Sequence, residues 1–243
     1  QGKLTEAESY LNHAVQLAET LGSDSMIVEY GGDFGGYSRA WLALLLTMKG
    51  ELAKAQQCQD EASRVSYDHK RTLAFVLAFP FIEQYTATAE QAKQQAESLI
   101  ELANNHQLFF FGLLGEFNLL WAKGILNKAQ WEHERVDWML AQFEGINLYS
   151  FLPRFYAMAA QVNIEAGRYQ QALIQIDKGL LICKQQGHFY YSELYRLKAV
   201  VHYAQRKPIS KVKRCLQAAK LIAEAQRASL WTNRIKETAQ QLS

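Results

Sequence analysis

Six segments of this 243-residue chain repeat one template, and the repetition limits the fold more than any single motif does. In GKLTEAESYLNHAVQLAETLG, Gly2 is followed by Ala7 and Ala14, at offsets of 5 and 12. GELAKAQQCQDEASRV repeats this with Gly50, Ala55 and Ala62, and ATAEQAKQQAESLIELA with Ala87, Ala92 and Leu99. GILNKAQWEHERVDWML gives Gly124, Ala129 and Val136, and GRYQQALIQIDKGLLIC gives Gly167, Ala172 and Gly179. KPISKVKRCLQAAKLIA completes the set with Lys207, Val212 and Ala219; successive starts lie 48, 37, 37, 43 and 40 residues apart. A small residue at the second position lets one helix of a hairpin approach the other closely. The third position falls two turns further along the same face, and a leading glycine permits the tight turn between antiparallel helices.

A second helix-length apolar segment precedes each template after the first: SRAWLALLLTMK, KRTLAFVLAFPFIEQYT, QLFFFGLLGEFNLLWAK, SFLPRFYAMAAQVNIEA and SELYRLKAVVHYAQ. After the last template, Leu230, Trp231, Ile235, Ala239 and Leu242 share roughly one helical face and suit a terminal cap. The pattern predicts an all-α chain of about eleven to thirteen helices, as antiparallel pairs stacked into a superhelical solenoid over residues 1–243. Gln1 falls within a repeat, so the chain is expected to be the C-terminal part of a longer protein.

One stretch competes with this reading. GGDFGGYS, residues 31–38, follows the short apolar SMIVEY and matches G-x-x-x-x-G-K-[ST] at Gly31, Gly36 and Ser38. The lysine position holds Tyr37, whose neutral hydroxyl cannot balance phosphate charge, and Asp33 would repel it. The chain also lacks the alternating strands and helices of a parallel sheet. The stretch is read instead as an inter-helix loop, in which glycines end one helix and Asp33 caps the next.

Other chemistry finds little support. A net charge of +2 offers no electrostatic case for direct nucleic-acid or membrane binding, and the basic cluster Lys207, Lys211, Lys213 and Arg214 reads as a solvated face. Cys58, Cys183 and Cys215 are odd in number and widely spaced, which argues against disulfides and fits a reducing, cytoplasmic setting. The apolar run from Leu73 to Ile82 is too short to span a bilayer. His13, His69, His106, His133, His188 and His202 form no metal-binding spacing, and no nucleophile motif appears. No cofactor or catalytic activity is expected. Glu193 and Arg196, three apart, suit an ion pair within or between helices.

A glycine followed by small residues at these offsets resembles the tetratricopeptide repeat, although the periods here exceed its usual length of about 34 residues. YGGDFGGYSRAWLALLLTMKGELAKA is similar to the first helical hairpin in the C-terminal repeat region of large bacterial signalling ATPases. SELYRLKAVV, with the following KRCLQAAKLIAEAQRASLWTNRIKETAQQL, resembles the closing segment of the same proteins. Ala87 and Lys207 depart from the repeat glycine, and Phe117 and Pro80 stand where small residues are usual. The resemblance implies a regulatory repeat region downstream of a switch ATPase and of a cyclase or DNA-binding domain, restraining them until an inducer or partner binds.

The resemblance also implies that the first helix of each pair lines a concave groove. Carrying over its register turns Tyr37, Thr47 and Met48 inward, followed by Phe81, Gln84 and Tyr85, then Phe111, Asn118 and Trp121, then Arg154 and Gln161. Aromatics interleaved with amides and one arginine suit a protein or peptide partner or a small polar inducer; alternatively, these aromatics pack between repeats. Two functions follow as expectations: a non-catalytic regulatory binding module of a signalling or transcription regulator, or a constitutive scaffold or oligomerisation module.

Overall fold

The computed structural model describes residues 3–79, 82–186 and 188–242. Among them are fourteen α-helices, one 3-10 turn and no strand, with neighbouring helices packed in pairs. The chain divides into two compact units, Leu4–Ala122 and Lys123 onward.

In the first unit the helices are α1 (Leu4–Leu21), α2 (Ser23–Tyr30), α3 (Phe34–Lys49), α4 (Leu52–Val65), α5 (Lys70–Ala78), α6 (Glu83–Thr86), α7 (Ala89–Asn105) and α8 (Phe109–Leu126), the last crossing the division. Here α3 packs against α1 and α4, and α5 against α7, α3 and α4. The repeated small residues explain the closeness. Ala55 and Ala62 of α4, and Ala92 and Leu99 of α7, are fully buried. A Cβ at Gly115 of α8 would fall 2.9 Å from Ile100 and 3.2 Å from Leu99, so the missing side chain sets the approach of α8 to α7.

The second unit holds the 3-10 turn Lys128–Gln130, then α9 (His133–Gly145), α10 (Leu152–Glu165), α11 (Tyr169–Gln186), α12 (Tyr191–Ala204), α13 (Ile209–Gln226) and α14 (Ser229–Gln241). The closest pairs are α10 with α11 and α12 with α13; α14 packs on both α13 and α12. Trp231 is fully buried and its indole donates to the Phe189 carbonyl at 2.8 Å, which holds α14 against the segment leading into α12.

Two helices exceed the twelve segments read from sequence. One is α2, formed by SDSMIVEY. The other is α6: the second apolar segment does not form one helix, since α5 ends at Ala78, two residues before Pro80 in sequence. The fourth template also needs correction. Gly124 lies inside α8 rather than in a turn, Ala129 sits exposed in the 3-10 turn, and α9 starts only at His133. A Cβ at Gly124 would come within 2.6 Å of Val162 and 3.0 Å of Trp131, so this glycine serves close packing. Gly50 and Gly167 take left-handed φ of 80° and 72° in turns as expected. At the last template Arg206, φ 53°, takes that geometry in place of a glycine. By length and composition α8 is apolar enough to cross a membrane. Its Leu114, Phe117, Leu120 and Trp121 are buried, the pattern of a core helix.

The GGDFGG stretch connects two helices. Gly31 ends α2 at φ 70°, its N–H donating to the Ile27 carbonyl. Asp33 caps α3 through Oδ1, which accepts from the Gly35 and Gly36 amides at 2.8 and 3.3 Å. Phe34, Gly35 and Gly36 belong to the first turn of α3 rather than to the loop. A Cβ on Gly36 would overlap the Ser66 hydroxyl and fall 2.9 Å from Thr72, so glycine lets α3 start against the α4–α5 connection. The Asp33 N–H donates to the Thr72 hydroxyl at 3.1 Å, and that hydroxyl donates to His69 Nδ1 at 2.5 Å. Asp33→Ala removes a buried cap and is expected to cost about 1–2 kcal/mol by urea denaturation, with Asp33→Asn recovering most of it. A loss no larger than that of an exposed substitution would show that the cap is idle.

Candidate functional site

Aromatic residues bind together the leading helices of the first unit. On α3, Phe34, Tyr37 and Trp41 recur at spacings of three and four and so share one face, as Phe75 and Phe79 do on α5. Their rings form a continuous chain. Tyr30 meets Phe34 at 5.7 Å between centroids, Phe34 meets Tyr37 at 5.8 Å, and Tyr37 meets Phe75 at 4.6 Å, each edge to face. Trp41 meets Phe75 at 5.9 Å, and Phe75 meets Phe79 at 4.7 Å. Phe79 then touches Phe110 and Phe111 of α8 at 6.2 and 6.1 Å. Offset and edge contacts of this kind contribute about 0.5–1.5 kcal/mol each beyond simple burial.

The chain of rings is anchored at one point and open along its length. Phe79 is 5% exposed, whereas Tyr37, Trp41, Phe75, Phe110 and Phe111 are half-buried and Tyr30 and Phe34 are exposed. Packing therefore covers most of these rings only in part. Beside the exposed end, the Glu29 carboxylate pushes the Tyr30 hydroxyl pKa up, first through a hydrogen bond, so the phenol stays neutral. A neutral, ring-lined face provides contact area at low entropic cost. Among the described residues no group of three or more His, Cys, Asp or Glu is placed to hold a metal.

The residues expected to line a groove fall into three groups. Tyr37 and Phe111 belong to the ring chain. Gln84 and Tyr85 are half-buried on or beside α6, and Gln161 is half-buried on α10. Thr47, Met48, Asn118, Trp121 and Arg154 are buried at 4% exposure or less and occupy packing positions. Asn118 donates to the Ala78 carbonyl at 3.5 Å, and Arg154 donates to the Met158 sulfur at 3.4 Å. Phe81 lies outside the described residues. Arg154 and Gln161 belong to the second unit and the others to the first. Sequence reasoning missed Tyr30, Phe34, Trp41, Phe75, Phe79 and Phe110. The spacing 34, 37, 41 was the available signal, but it identifies a shared face without telling whether that face is covered.

Comparison of the chain with family models, with curated proteins and with solved structures finds no match.

Proposed function

We propose that this chain is a non-catalytic regulatory binding module that takes a peptide segment of a partner protein on its aromatic face. In this reading the helix pairs form a tetratricopeptide-like solenoid, serving a bacterial signalling or transcription regulator in the cytoplasm. The supporting observation is the run of rings contributed by α2, α3, α5 and α8, all but Phe79 at least partly exposed. Aromatic side chains supply much of the binding energy at typical protein interfaces, and here their positions are fixed before any partner arrives.

Selection of peptides from a random displayed library on the immobilised chain tests this. Selected peptides should quench Trp41 fluorescence, and Tyr37→Ala and Phe111→Ala should each weaken them by about tenfold, with helical circular dichroism unchanged. Peptides whose affinity both variants leave intact would place the binding face elsewhere. The oligomerisation reading has its own observation: Tyr10, Leu17 and Leu21, on one face of α1, are 75, 50 and 54% exposed. Sedimentation equilibrium should then show self-association that Leu17→Gln weakens; a monomer at all concentrations removes that reading.

A further inference from the structure

The second unit contains a cleft of about 470 Å³ at the N-terminal turns of α9 and α11 and the end of α10. Two rungs of side chains join α9 to the start of α11 there. In the first the Arg168 guanidinium, exposed, donates to His133 Nδ1 at 3.3 Å. It stands immediately before α11, whose first turn carries no acidic residue, whereas α9 follows Glu132 and carries Glu134 in its first turn. The N-terminus of α11 and the guanidinium together favour a carboxylate.

The second rung accepts hydrogen bonds. The Asp137 carboxylate receives Gln171 Nε2 at 3.0 Å and Gln175 Nε2 at 3.4 Å, which leaves it further accepting capacity. Behind it, the Asn163 amide donates to Gln175 Oε1 at 3.0 Å. Asn163 is fully buried and borders the cleft, yet its Oδ1 has no hydrogen-bond partner. Buried acceptors are rarely left so, and this side chain is joined to the Asp137 carboxylate through Gln175. The orphan acceptor and the carboxylate's spare capacity suit a cationic donor, and the guanidinium suits an anion.

We propose that this cleft binds a free α-amino acid. The ligand carboxylate sits on Arg168 and the α11 N-terminus, and its ammonium sits on Asp137 with Asn163 Oδ1 behind. The guanidinium and the carboxylate are opposite in charge, so a zwitterion matches both while a singly charged ligand leaves one unmatched. The volume admits an amino acid with its side chain. The site lies in a different unit from the aromatic face and stands or falls independently of it.

Thermal denaturation of the whole chain with each of the common amino acids at millimolar concentration is the test, with acetate, methylamine and glucose as controls. At least one amino acid should raise the melting temperature increasingly with concentration, and the controls should not. Its N-acetyl and methyl-ester derivatives, each lacking one charge, should lose the effect. Asp137→Asn and Arg168→Gln should each weaken binding tenfold or more. The proposal is overturned if no amino acid shifts the melt, or if acetate, methylamine or glucose gives the same shift. Retained binding of both blocked derivatives, or undiminished binding by both variants, overturns it as well.

Discussion

Glu193→Ala is expected to lower stability by about 3–5 kcal/mol, because it leaves a buried guanidinium without its counter-charge. Glu193, on α12, is 4% exposed and accepts from Arg196 at both oxygens, at 2.7 and 2.6 Å. Arg234 of α14 donates to the same carboxylate at 3.1 Å, and Arg196 also donates to Thr238 at 2.9 Å. The network thus ties the last helix to α12, combining the within-helix and between-helix pairing that the sequence left as alternatives. Burial alone pushes the Glu193 carboxyl pKa up, but Arg196 and Arg234 more than reverse this and hold it below the usual range. An exposed pair provides the control. Lys93 and Glu90 are also three residues apart and 3.0 Å from each other, yet Glu90 is half exposed. Glu90→Ala should cost under about 0.5 kcal/mol. Urea midpoints for the two variants make the comparison; equal losses would mean that burial adds nothing to the Glu193 network.

How much of this was legible in the sequence depends on what each residue does. Small residues at fixed offsets reveal helix pairing because only close approach demands them. Ala55, Ala62, Ala172 and Ala219 are all fully buried where the template put them. Asp33 was legible too, since a cap is a local interaction between neighbours in sequence. The fourth template misled because a glycine has two uses, and Gly124 serves packing against Val162 and Trp131 instead of a turn. Side-chain direction was the harder problem. Trp121 and Arg154 look like ligand contacts by residue type, but their 4% and 2% exposure depends on neighbours distant in sequence. The ring chain needs Tyr37, Phe75 and Phe111 from three helices, and the Asn163–Gln175–Asp137 relay also spans three. No local pattern encodes either.

Stability should also fall on mild acidification, by about 3 kcal/mol between roughly pH 6.5 and 4, with His188 as the main cause. His188 is 7% exposed and stacks on Phe189 at 4.4 Å. Its Nδ1 accepts the Tyr190 N–H at 3.1 Å, and its Nε2 donates to the Ser150 carbonyl at 2.8 Å. A proton added to Nδ1 would therefore face another donor. Burial lowers the pKa to about 4, against a smaller opposing effect of the Ser150 bond. The unfolded histidine takes up its proton near pH 6.5 while the folded one stays neutral until about 4, so protons favour the unfolded chain throughout that window. Above about pH 6.5 both forms are neutral and the effect vanishes. His202, half-buried, has its pKa lowered first by burial and then by Lys198, Lys211 and Lys207, and adds a smaller loss of the same sign. Glu193, with its depressed carboxyl, contributes only at lower pH, as the unfolded carboxylate range is entered from above. The orders separate: histidine first, carboxylate second. His188→Gln should be less stable at neutral pH, through loss of the ring contacts, but should lose much less from about pH 7 to 5, the smaller His202 share remaining. Urea midpoints at those two pH values decide it, since an unchanged acid slope in His188→Gln would assign the loss to another group.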